Sequence, residues 1–404
     1  MAKILVYMSP TRGSIYPLVP ALESLAQNHQ IDVVAPSCVR RMLWERGIST
    51  LPMADDVECS ACNDFEAATY FDSLSQALVG KMERAKLEIT DIEMWVKKVQ
   101  PDLVLIDGNL LGASAWLEGY GLPWIAWATR LLPFAANGVP QFGLGLPRKR
   151  GAISALKNWG KSGSVQKVYD QHINTYNDIR TSNGAPALSS FQEWPTSFKH
   201  LIYFTSEPFE YQRTWPSQVH LVGPGNWEPF PETIKLENDE RPVVLVSACC
   251  EYQDERKLIS TVLNTLDPSQ LQIAITTAAI DPQLFEVPKG VHIARFSSHN
   301  AILKRALCTI CPGNLGLVQR SLSYGVPVLA VTYYRDQLEV GQRLKECKAG
   351  TALPSSQLTA QNLADNLSKA IACESGARDM QSVFTELDSS IAVQNIVQGV
   401  LADG

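Results

Sequence analysis

Residues 311–327 contain the part of the sequence whose glycine spacing could bind phosphate. They read Cys-Pro-Gly-Asn-Leu-Gly-Leu-Val-Gln-Arg-Ser-Leu-Ser-Tyr-Gly-Val-Pro. Gly313 and Gly316 lie where a loop is predicted to run into a helix, and the unpaired amides of a helix N-terminus bind anions. A glycine pattern of this kind is a weak signal by itself. It indicates a phosphate-binding loop only if the surrounding elements place it at a ligand cleft.

Two Cys-x-x-Cys pairs, Cys59/Cys62 and Cys308/Cys311, could together suggest a zinc site. The second pair lies in an apolar run that reads as a strand. Residues three apart in a strand point to opposite faces, so this pair cannot chelate one ion. We therefore expect no metal site.

The composition is that of a globular protein with little attraction for polyanions. Of its 404 residues 45% are hydrophobic, and 41 acidic against 35 basic residues give a formal net charge of -6. No basic field attracts nucleic acid. The apolar stretch before Pro10 is too short for a signal peptide, and no run reaches the roughly 18 apolar residues of a membrane span. We expect a cytoplasmic monomer or homodimer that has no membrane span and does not bind nucleic acid.

Short apolar runs alternate with amphipathic stretches in the first half of the chain, a rhythm typical of a doubly wound parallel sheet. Residues 134–200 interrupt it with Gly, Pro and charged residues, and we predict an insertion there with one helix over residues 165–182. The strands are predicted at residues 4–8, 30–35, 103–106 and 124–128, and the helices at 18–28, 75–99 and 112–120.

The rhythm restarts after a linker rich in Gly, Pro and acids. We predict an N-terminal domain over residues 1–222, a linker over 223–241, a second domain over 242–380, and a C-terminal helix over 381–404 that packs back towards the first domain. Two such domains create a cleft between the carboxyl ends of their sheets, where ligands of open α/β sheets bind. The second set of strands is predicted at residues 243–247, 271–276, 292–296, 307–311 and 328–331, and the helices at 255–266, 300–305, 316–324, 338–345, 360–372 and 378–401.

Several motifs in the second half resemble, in order and spacing, the nucleotide-sugar site of the GT-B glycosyltransferases. The chain most closely resembles the group with antibiotic, sterol and plant secondary-metabolite glycosyltransferases, and Thr11-Arg-Gly13 resembles the first strand-to-helix loop of that group. The resemblance implies an α/β protein with the GT-B fold, in which two Rossmann-like domains face each other across a cleft. The motifs are residues 296–306, the loop quoted above, Gly325-Val-Pro327, Tyr334-Arg-Asp-Gln337 and Lys348-Ala-Gly350.

The resemblance also implies where the catalytic base belongs. The family usually has His or Asp directly after the glycine of the first loop, whereas this chain has Ser14. A serine of ordinary acidity is no general base by itself, so Ser14 either needs help or only caps the helix that contains Pro17. Asp107, at a position where related enzymes keep an Asp that orients the His, is the nearest replacement as a base, directly or through water. The alternative is that Asp107 caps a loop.

The positions that bind the diphosphate in the family are altered. The loop usually begins with His and ends with Thr or Ser, but this chain has Pro312 and Leu317. The acid that usually binds the ribose corresponds to Arg320, which could bind a phosphate bidentately or could be a solvated helix residue. Backbone amides that could still face a donor remain at Gly313, Asn314 and Gly316.

The resemblance also assigns residues to the nucleobase and the sugar. Phe296 stands where an aromatic often stacks near the nucleobase, and His299 replaces a Gln. Cys249-Cys250 replace a small Gly-Ser pair after the strand that ends at Ser247, which would narrow the space for a nucleotide. The pair that orients the sugar is intact as Asp336 and Gln337, and the alternative for Asp336 is a loop cap.

The N-terminal half is expected to supply the acceptor pocket. Arg12 in the first loop and the aromatic side chains of Trp127, Phe134 and Phe142 suit a lipophilic or aromatic acceptor. The prediction is sugar transfer from a nucleotide sugar to a small natural product, with atypical donor handling and without a metal or other cofactor. The alternative is a GT-B protein without transfer activity that binds a partner, or that catalyses a different reaction on a small molecule in the cleft.

Overall fold

The computed structural model describes residues 1–60, 67, 69–134, 138–140, 142–148, 152–230, 232–248, 255–333 and 336–403, with only the backbone for 152–162 and 164. Within these residues the chain forms two α/β domains, each built on one parallel sheet. This architecture confirms the fold class predicted from the sequence.

The sheet of the N-terminal domain has the order β3-β2-β1-β4-β5-β6-β7, and all of its strand pairs are parallel. Its central strands are buried on both faces, which explains their unbroken apolar sequences. The strands are β1 (Lys3–Tyr7), β2 (Gln30–Ala35), β3 (Ser49–Pro52), β4 (Leu103–Asp107), β5 (Trp124–Ala128), β6 (Leu201–Tyr203) and β7 (Val219–Leu221). The helices are α1 (Val19–Leu25), α2 (Ser37–Trp44), α3 (Asp55–Glu58), α4 (Tyr70–Val99), α5 (Leu111–Tyr120) and α6 (Ala152–Ser182).

Two long helices differ from their predicted bounds. Helix α4 begins at Tyr70 rather than at residue 75, because the Thr69 side chain accepts the Asp72 amide and caps it. It ends where Gln100 adopts a left-handed conformation before Pro101. Helix α6 begins at Ala152 rather than at residue 165, so the predicted insertion is more helical than its composition indicates.

The sheet of the C-terminal domain has the order β10-β9-β8-β11-β12-β13 and is also wholly parallel. The strands are β8 (Val243–Ser247), β9 (Gln272–Thr276), β10 (Val291–Ala294), β11 (Ala306–Cys311), β12 (Val328–Thr332) and β13 (Gly350–Pro354). The helices are α7 (Arg256–Thr265), α8 (His299–Leu303), α9 (Leu315–Ser323), α10 (Gln337–Glu346), α11 (Ala360–Ile371), α12 (Glu374–Thr385) and α13 (Ser389–Asp403).

The two faces of this second sheet belong to different apolar clusters. Val244 and Cys308 contribute to one cluster, whereas Leu245 and Cys311 contribute to the other, as the alternation of side chains along a strand requires. Burial raises the pKa of both thiols to about 12, so they are protonated and apolar at neutral pH. The two cysteines therefore pack on opposite faces of the sheet.

The last part of the chain connects the two domains. The single stretch predicted over residues 378–401 is instead two helices, α12, which packs on α9, and α13, which packs on α1. Between them Leu387 lies against Gly223, where an added Cβ would come within 2.8 Å of the Leu387 Cβ. Gln394 of α13 accepts a 2.7 Å hydrogen bond from the Ser24 hydroxyl of α1. The break lets the chain turn from one domain onto the other.

The strand orders place the ends of particular strands at the cleft. In the first sheet β1 lies between β2 and β4, and in the second sheet β8 lies between β9 and β11. Each is a point where the winding direction reverses, and loops that leave such strands diverge and open a crevice. The loops after β1 and β4 and the loop after β11 therefore line the space between the domains.

Candidate active site in the interdomain cavity

A cavity of about 1280 Å³ lies between the two domains and is lined by residues from both. Four residues predicted as site residues do not line it: Asp107, Gly313, Trp127 and Phe134. The predicted residues that do line it are Arg12, Ser14, Phe142, Ser247, Phe296, His299, Asn314, Gly316, Arg320, Asp336 and Gln337. The structure thus brings most of the sequence-derived site into one cavity.

Ser14 and Asp107 are connected through Ser9, a residue that the sequence did not indicate. Ser9 is fully buried, and its hydroxyl donates a short hydrogen bond to Asp107 Oδ2. The Ser9 hydroxyl also has donor geometry towards Ser14 Oγ, at 3.4 Å, and its oxygen lies 2.9 Å from Thr11 Oγ1. A chain of hydroxyl groups therefore leads from the cavity at Ser14 to the carboxylate of Asp107.

Burial decides between the roles predicted for these residues. Asp107 is only 4% exposed and does not line the cavity, so its carboxylate is connected to the cavity through Ser9 and does not face it directly. Its Oδ1 accepts the Asn109 amide at 2.9 Å, so it also caps its loop. The Ser14 hydroxyl donates to the Thr11 carbonyl at 3.1 Å and does not cap the helical turn Tyr16–Leu18.

Asn109 is a residue of the cavity lining that the sequence analysis missed. Its side chain is 7% exposed, and no described residue donates a hydrogen bond to its buried Oδ1. Its position two residues after β4, at the same sheet edge as Asp107, could have indicated from the sequence that Asn109 lies at the cavity. An unsatisfied carbonyl oxygen beside the Ser14 loop can accept a hydrogen bond from a bound ligand.

The loop before α9 keeps the geometry of an anion-binding turn but has few donors. Gly313 has φ +91, and the amides of Gly313 and Asn314 lie close enough to the Cys311 sulfur to oppose the rise of its pKa. Val318 makes the first hydrogen bond within α9, to Asn314. The amides available for an anion are therefore those of residues 315–317, and an added Cβ at Gly316 would meet open space.

An aromatic pair marks the predicted nucleobase position. Phe296 is 39% exposed and stacks on Phe230 with ring centroids 5.1 Å apart. The guanidinium of Arg12, predicted on the acceptor side, reaches across the cavity to 5.7 Å from the Phe296 ring centroid. Arg12 therefore contacts the donor domain by a cation–π interaction.

His299, three residues after Phe296, lies in a polar cluster. Its Nε2 is 2.9 Å from Thr276 Oγ1, which also donates to Ser247 Oγ at 2.9 Å. Burial, with a smaller contribution from the positive charge of Arg320, lowers the pKa of His299 to about 3. The imidazole is therefore neutral at physiological pH.

Arg320 is not a solvated helix residue, because its guanidinium is buried and paired, which corrects that alternative. One Nη donates to Glu228 Oε2 at 3.0 Å and the other donates to the Trp227 carbonyl at 2.8 Å. The side chains of Arg320 and Glu228 are 11% and 6% exposed. Burial lowers the pKa of Arg320, and the Glu228 carboxylate opposes that effect.

The Glu228 carboxylate is saturated by its neighbours. Besides Arg320 it accepts from the Ser298 hydroxyl at 2.5 Å and from the amides of His299 and Asn300 at 3.0 and 3.1 Å. The linker is thereby fixed to the start of α8. An acid in the linker was visible in the sequence, but only the fold brings it beside Arg320.

Asp336 and Gln337, the predicted sugar-orienting pair, lie at the start of α10. Asp336 Oδ2 accepts the Leu131 amide of the other domain at 3.3 Å, and its side chain does not cap α10. Gln337 Oε1 accepts the Tyr333 amide at 3.0 Å. Both side chains line the cavity, and Oδ1 of Asp336 is available to accept from a ligand.

Two predicted acceptor contacts are corrected by the structure. Trp127 is fully buried in β5, where its indole donates to the Ser14 carbonyl at 3.0 Å. Phe134 is 7% exposed and packs on Tyr203 and Trp215. Neither ring reaches the cavity, whereas Phe142 does. The other aromatic residues on this side of the cavity are Tyr16, Tyr70, Tyr169, Phe191 and Trp194.

Some predictions concern residues outside the described part of the chain. They are the narrowing of the nucleotide site by Cys249 and Cys250, and the roles of Tyr334, Arg335 and Cys62. Within the residues that are described, no group of three His, Cys, Asp or Glu side chains could hold a metal ion. The same residues include no helix with the length and apolarity needed to cross a bilayer.

Two facing parallel sheets with a ligand cavity between their carboxyl edges define the GT-B fold. Residues 260–402 match the family described as erythromycin biosynthesis protein CIII-like, C-terminal domain. The chain is 25% identical over 382 residues to 4′-demethylrebeccamycin synthase of Lentzea aerocolonigenes, with 90% of each chain covered.

Solved structures show the same fold. The calicheamicin glycosyltransferase CalG4 aligns with a TM-score of 0.71 at 17% identity, covering 100% of this chain and 98% of its own. The spinosyn rhamnosyltransferase SpnG, complexed with thymidine diphosphate, aligns with a TM-score of 0.71 at 14% identity, covering 98% and 99%. The resemblance inferred from the sequence is confirmed: the chain is similar to GT-B glycosyltransferases of natural-product type.

Proposed function

We propose that the protein transfers a sugar from a nucleotide diphosphate donor to a hydroxyl group of a small lipophilic or aromatic natural product. The observation that carries the proposal is that one cavity is lined both by Ser14, at the end of the hydroxyl chain from Asp107, and by Asp336 and Gln337. A base and a sugar-orienting pair in one cavity are what an acceptor hydroxyl and a donor sugar need in order to react.

The hydroxyl chain supplies the base. The acceptor hydroxyl gives its proton to Ser14 Oγ as Ser14 turns its own proton from the Thr11 carbonyl to Ser9 Oγ, and Ser9 passes its proton to Asp107 Oδ2. The acceptor oxygen forms its bond to the anomeric carbon as the bond from that carbon to the diphosphate oxygen breaks. The diphosphate leaves with the bonding electrons. Asp107 thus acts as the final proton acceptor without touching the acceptor.

The donor is held in an atypical way. The usual side-chain donors are replaced by Pro312 and Leu317, and Arg320 is bound to Glu228. We assign the diphosphate to the backbone amides at the start of α9, which carry partial positive charge. The nucleobase lies near Phe296 and His299, and the sugar hydroxyls bind Asp336 and Gln337. This proposal for donor binding uses only protein groups and no metal ion.

The compartment we propose is the cytoplasm. Cys308 and Cys311, both in β11, carry fully buried, protonated thiols. Thiols of this kind persist where the glutathione and thioredoxin systems keep cysteines reduced. Nucleotide sugar and acceptor are the partners proposed for the cavity.

Thermal unfolding with thymidine diphosphate and uridine diphosphate tests donor binding. A ligand at about 100 times its Kd adds about 2.7 kcal/mol of stability, which raises the midpoint clearly. Changing Gly316 to Asp should abolish that rise, because a carboxylate would occupy the open space before the amides of α9. Gly399→Asp, on α13, where an added Cβ also meets open space, is the matched control.

Turnover tests the reaction itself. With a panel of nucleotide sugars and aromatic hydroxyl acceptors, we expect glycosylated products that form at least about 10²-fold more slowly in Asp107→Asn. If no diphosphate raises the midpoint while lipophilic acceptor-like compounds do, glycosyl transfer is refuted and a binding role in the cavity is supported instead.

A further inference from the structure

Glu339 connects the donor helix to the wall on the acceptor side of the cavity. It lies in the first turn of α10, two residues after Gln337, and its side chain is 5% exposed. Its Oε1 accepts the amides of Gly143 and Gly145 at 2.8 and 2.9 Å. One carboxylate oxygen of the donor domain thus holds two amides of the N-terminal domain.

The segment that Glu339 holds fits only as a glycine turn. Gly143 and Gly145 have φ +120 and +56. An added Cβ at Gly143 would lie 2.1 Å from the Tyr70 hydroxyl, and one at Gly145 would lie 2.4 Å from the Leu338 carbonyl oxygen. Phe142, directly before this turn, lines the cavity together with Tyr70. Phe142 and Tyr70 form what we call the Phe142 wall. The position of this wall therefore depends on the contact between Glu339 of α10 and the glycine turn.

Buried charges brace the same contact. Glu339 Oε2 pairs with Arg343 at 2.9 Å, and Arg343 pairs with Glu210 of the N-terminal domain at 2.8 Å. Glu210 also pairs with Arg213 at 2.7 Å, and Arg213 donates to the Phe134 carbonyl. Two acids and two arginines cancel in charge, and each side chain is at most 5% exposed. These ion pairs, together with hydrogen bonds from both domains, restrict the side chain of Glu339 to one position.

We propose that Glu339 is a positioning residue that fixes the Phe142 wall relative to Asp336 and Gln337, and so determines which acceptors lie in register with the donor sugar. The inference rests on the proposed function, since it assigns the acceptor to the Phe142 side and the sugar to the start of α10. Glu339 and the sugar pair belong to the same first turn of α10, so the wall that Glu339 holds keeps a fixed position relative to Asp336 and Gln337. Glu339 itself touches neither substrate.

The test uses two probes on the full-length protein. The dye 8-anilinonaphthalene-1-sulfonate reports the aromatic side of the cavity by fluorescence, and thymidine diphosphate reports the donor side by the rise in unfolding midpoint. Phe142→Ala should weaken dye binding, which locates the dye at the wall. Glu339→Ala should weaken dye binding about tenfold, while the midpoint rise with thymidine diphosphate stays within error.

A matched control separates positioning from lost stability. Glu118→Ala removes the carboxylate partner of another buried arginine. Arg180 donates to the two carboxylate oxygens of Glu118 at 2.8 and 3.0 Å, and neither residue lines the cavity. We expect Glu118→Ala to lower the midpoint without changing either probe. If Glu339→Ala does not fold, Glu339→Gln, which keeps one acceptor oxygen, should show a smaller loss of dye affinity and serves in its place.

The outcomes separate this inference from the proposed function. If dye affinity is unchanged in both Glu339 variants, the positioning role is overturned. It is also overturned if these variants lose affinity for the dye and for thymidine diphosphate by the same factor. A wild-type protein that binds the dye but no nucleotide contradicts glycosyl transfer, while the dye comparison still decides whether Glu339 holds the wall.

Discussion

Replacing His299 by Gln should change how the stability of the protein depends on pH. The imidazole is buried with a pKa of about 3, whereas a histidine in an unfolded chain has a pKa of about 6.5. Below pH 6.5 the unfolded chain therefore binds a proton that the folded protein does not. Stability conferred by the neutral side chain is present above that pH and is lost as the pH falls towards 3.

The size of the effect follows from the two pKa values. Each pH unit between about 6.5 and 3 costs about 1.4 kcal/mol, so the loss between pH 7 and pH 4.5 is about 3 kcal/mol. Glutamine does not titrate, so His299→Gln should lack this part of the loss. The hydrogen bond to Thr276 changes too, but that change is the same at every pH and does not alter the slope.

Urea unfolding at pH values of about 7, 5.5 and 4.5 measures how steeply the free energy of unfolding of each protein changes with pH. We expect the free energy of unfolding of the wild type to fall by about 3 kcal/mol more than that of His299→Gln between pH 7 and pH 4.5. His29→Gln, in the other domain, controls for the loss of any histidine. Parallel curves for wild type and His299→Gln would refute the assignment of a neutral buried imidazole at this site.

Three further substitutions test the site. Asp107→Asn should lower kcat roughly 10²- to 10⁴-fold and leave the Kd for the nucleotide unchanged, and steady-state kinetics that show full turnover would exclude the hydroxyl chain. Asp336→Ala should raise KM for the donor at least about tenfold, because a charged acceptor for sugar hydroxyls is lost; an unchanged KM would contradict its role. Glu228→Gln should cost about 3 kcal/mol in urea unfolding by leaving Arg320 buried without its counter-charge, and a loss below 1 kcal/mol would contradict that pairing.

The sequence predicted the central strands well because strands buried on both faces of a parallel sheet are continuous apolar runs. β2, β5 and β8 have the predicted bounds. The sequence did not predict strands such as β3 and β13, which lie at sheet edges. Edge strands are partly exposed, so their short sequences contain polar residues and lack a continuous apolar run. Pairing with the neighbouring strand, rather than local pattern, makes them strands.

The sequence predicted those site residues that belong to one short motif. It predicted less well the contacts that join residues of different motifs. Asp336 and Gln337 lie in the cavity as their motif indicates. The link from Ser14 to Asp107 runs through Ser9, which has no distinguishing pattern, because any serine after a strand can cap a loop. Aromatic composition was also a poor guide to the acceptor wall, since burial in β5 removes Trp127 from the cavity.

The pairing of Arg320 with Glu228 also constrains how this site can change by substitution. An acid restored at position 320 would lie beside a carboxylate that is 6% exposed, and two like charges in so little water repel strongly. Removing Glu228 alone instead leaves a buried arginine without its counter-charge. Either single step is therefore unfavourable, and the two positions must change together. An attempt to restore the usual ribose contact of the family should start from the double variant, with Glu228 made neutral and Arg320 made acidic at once.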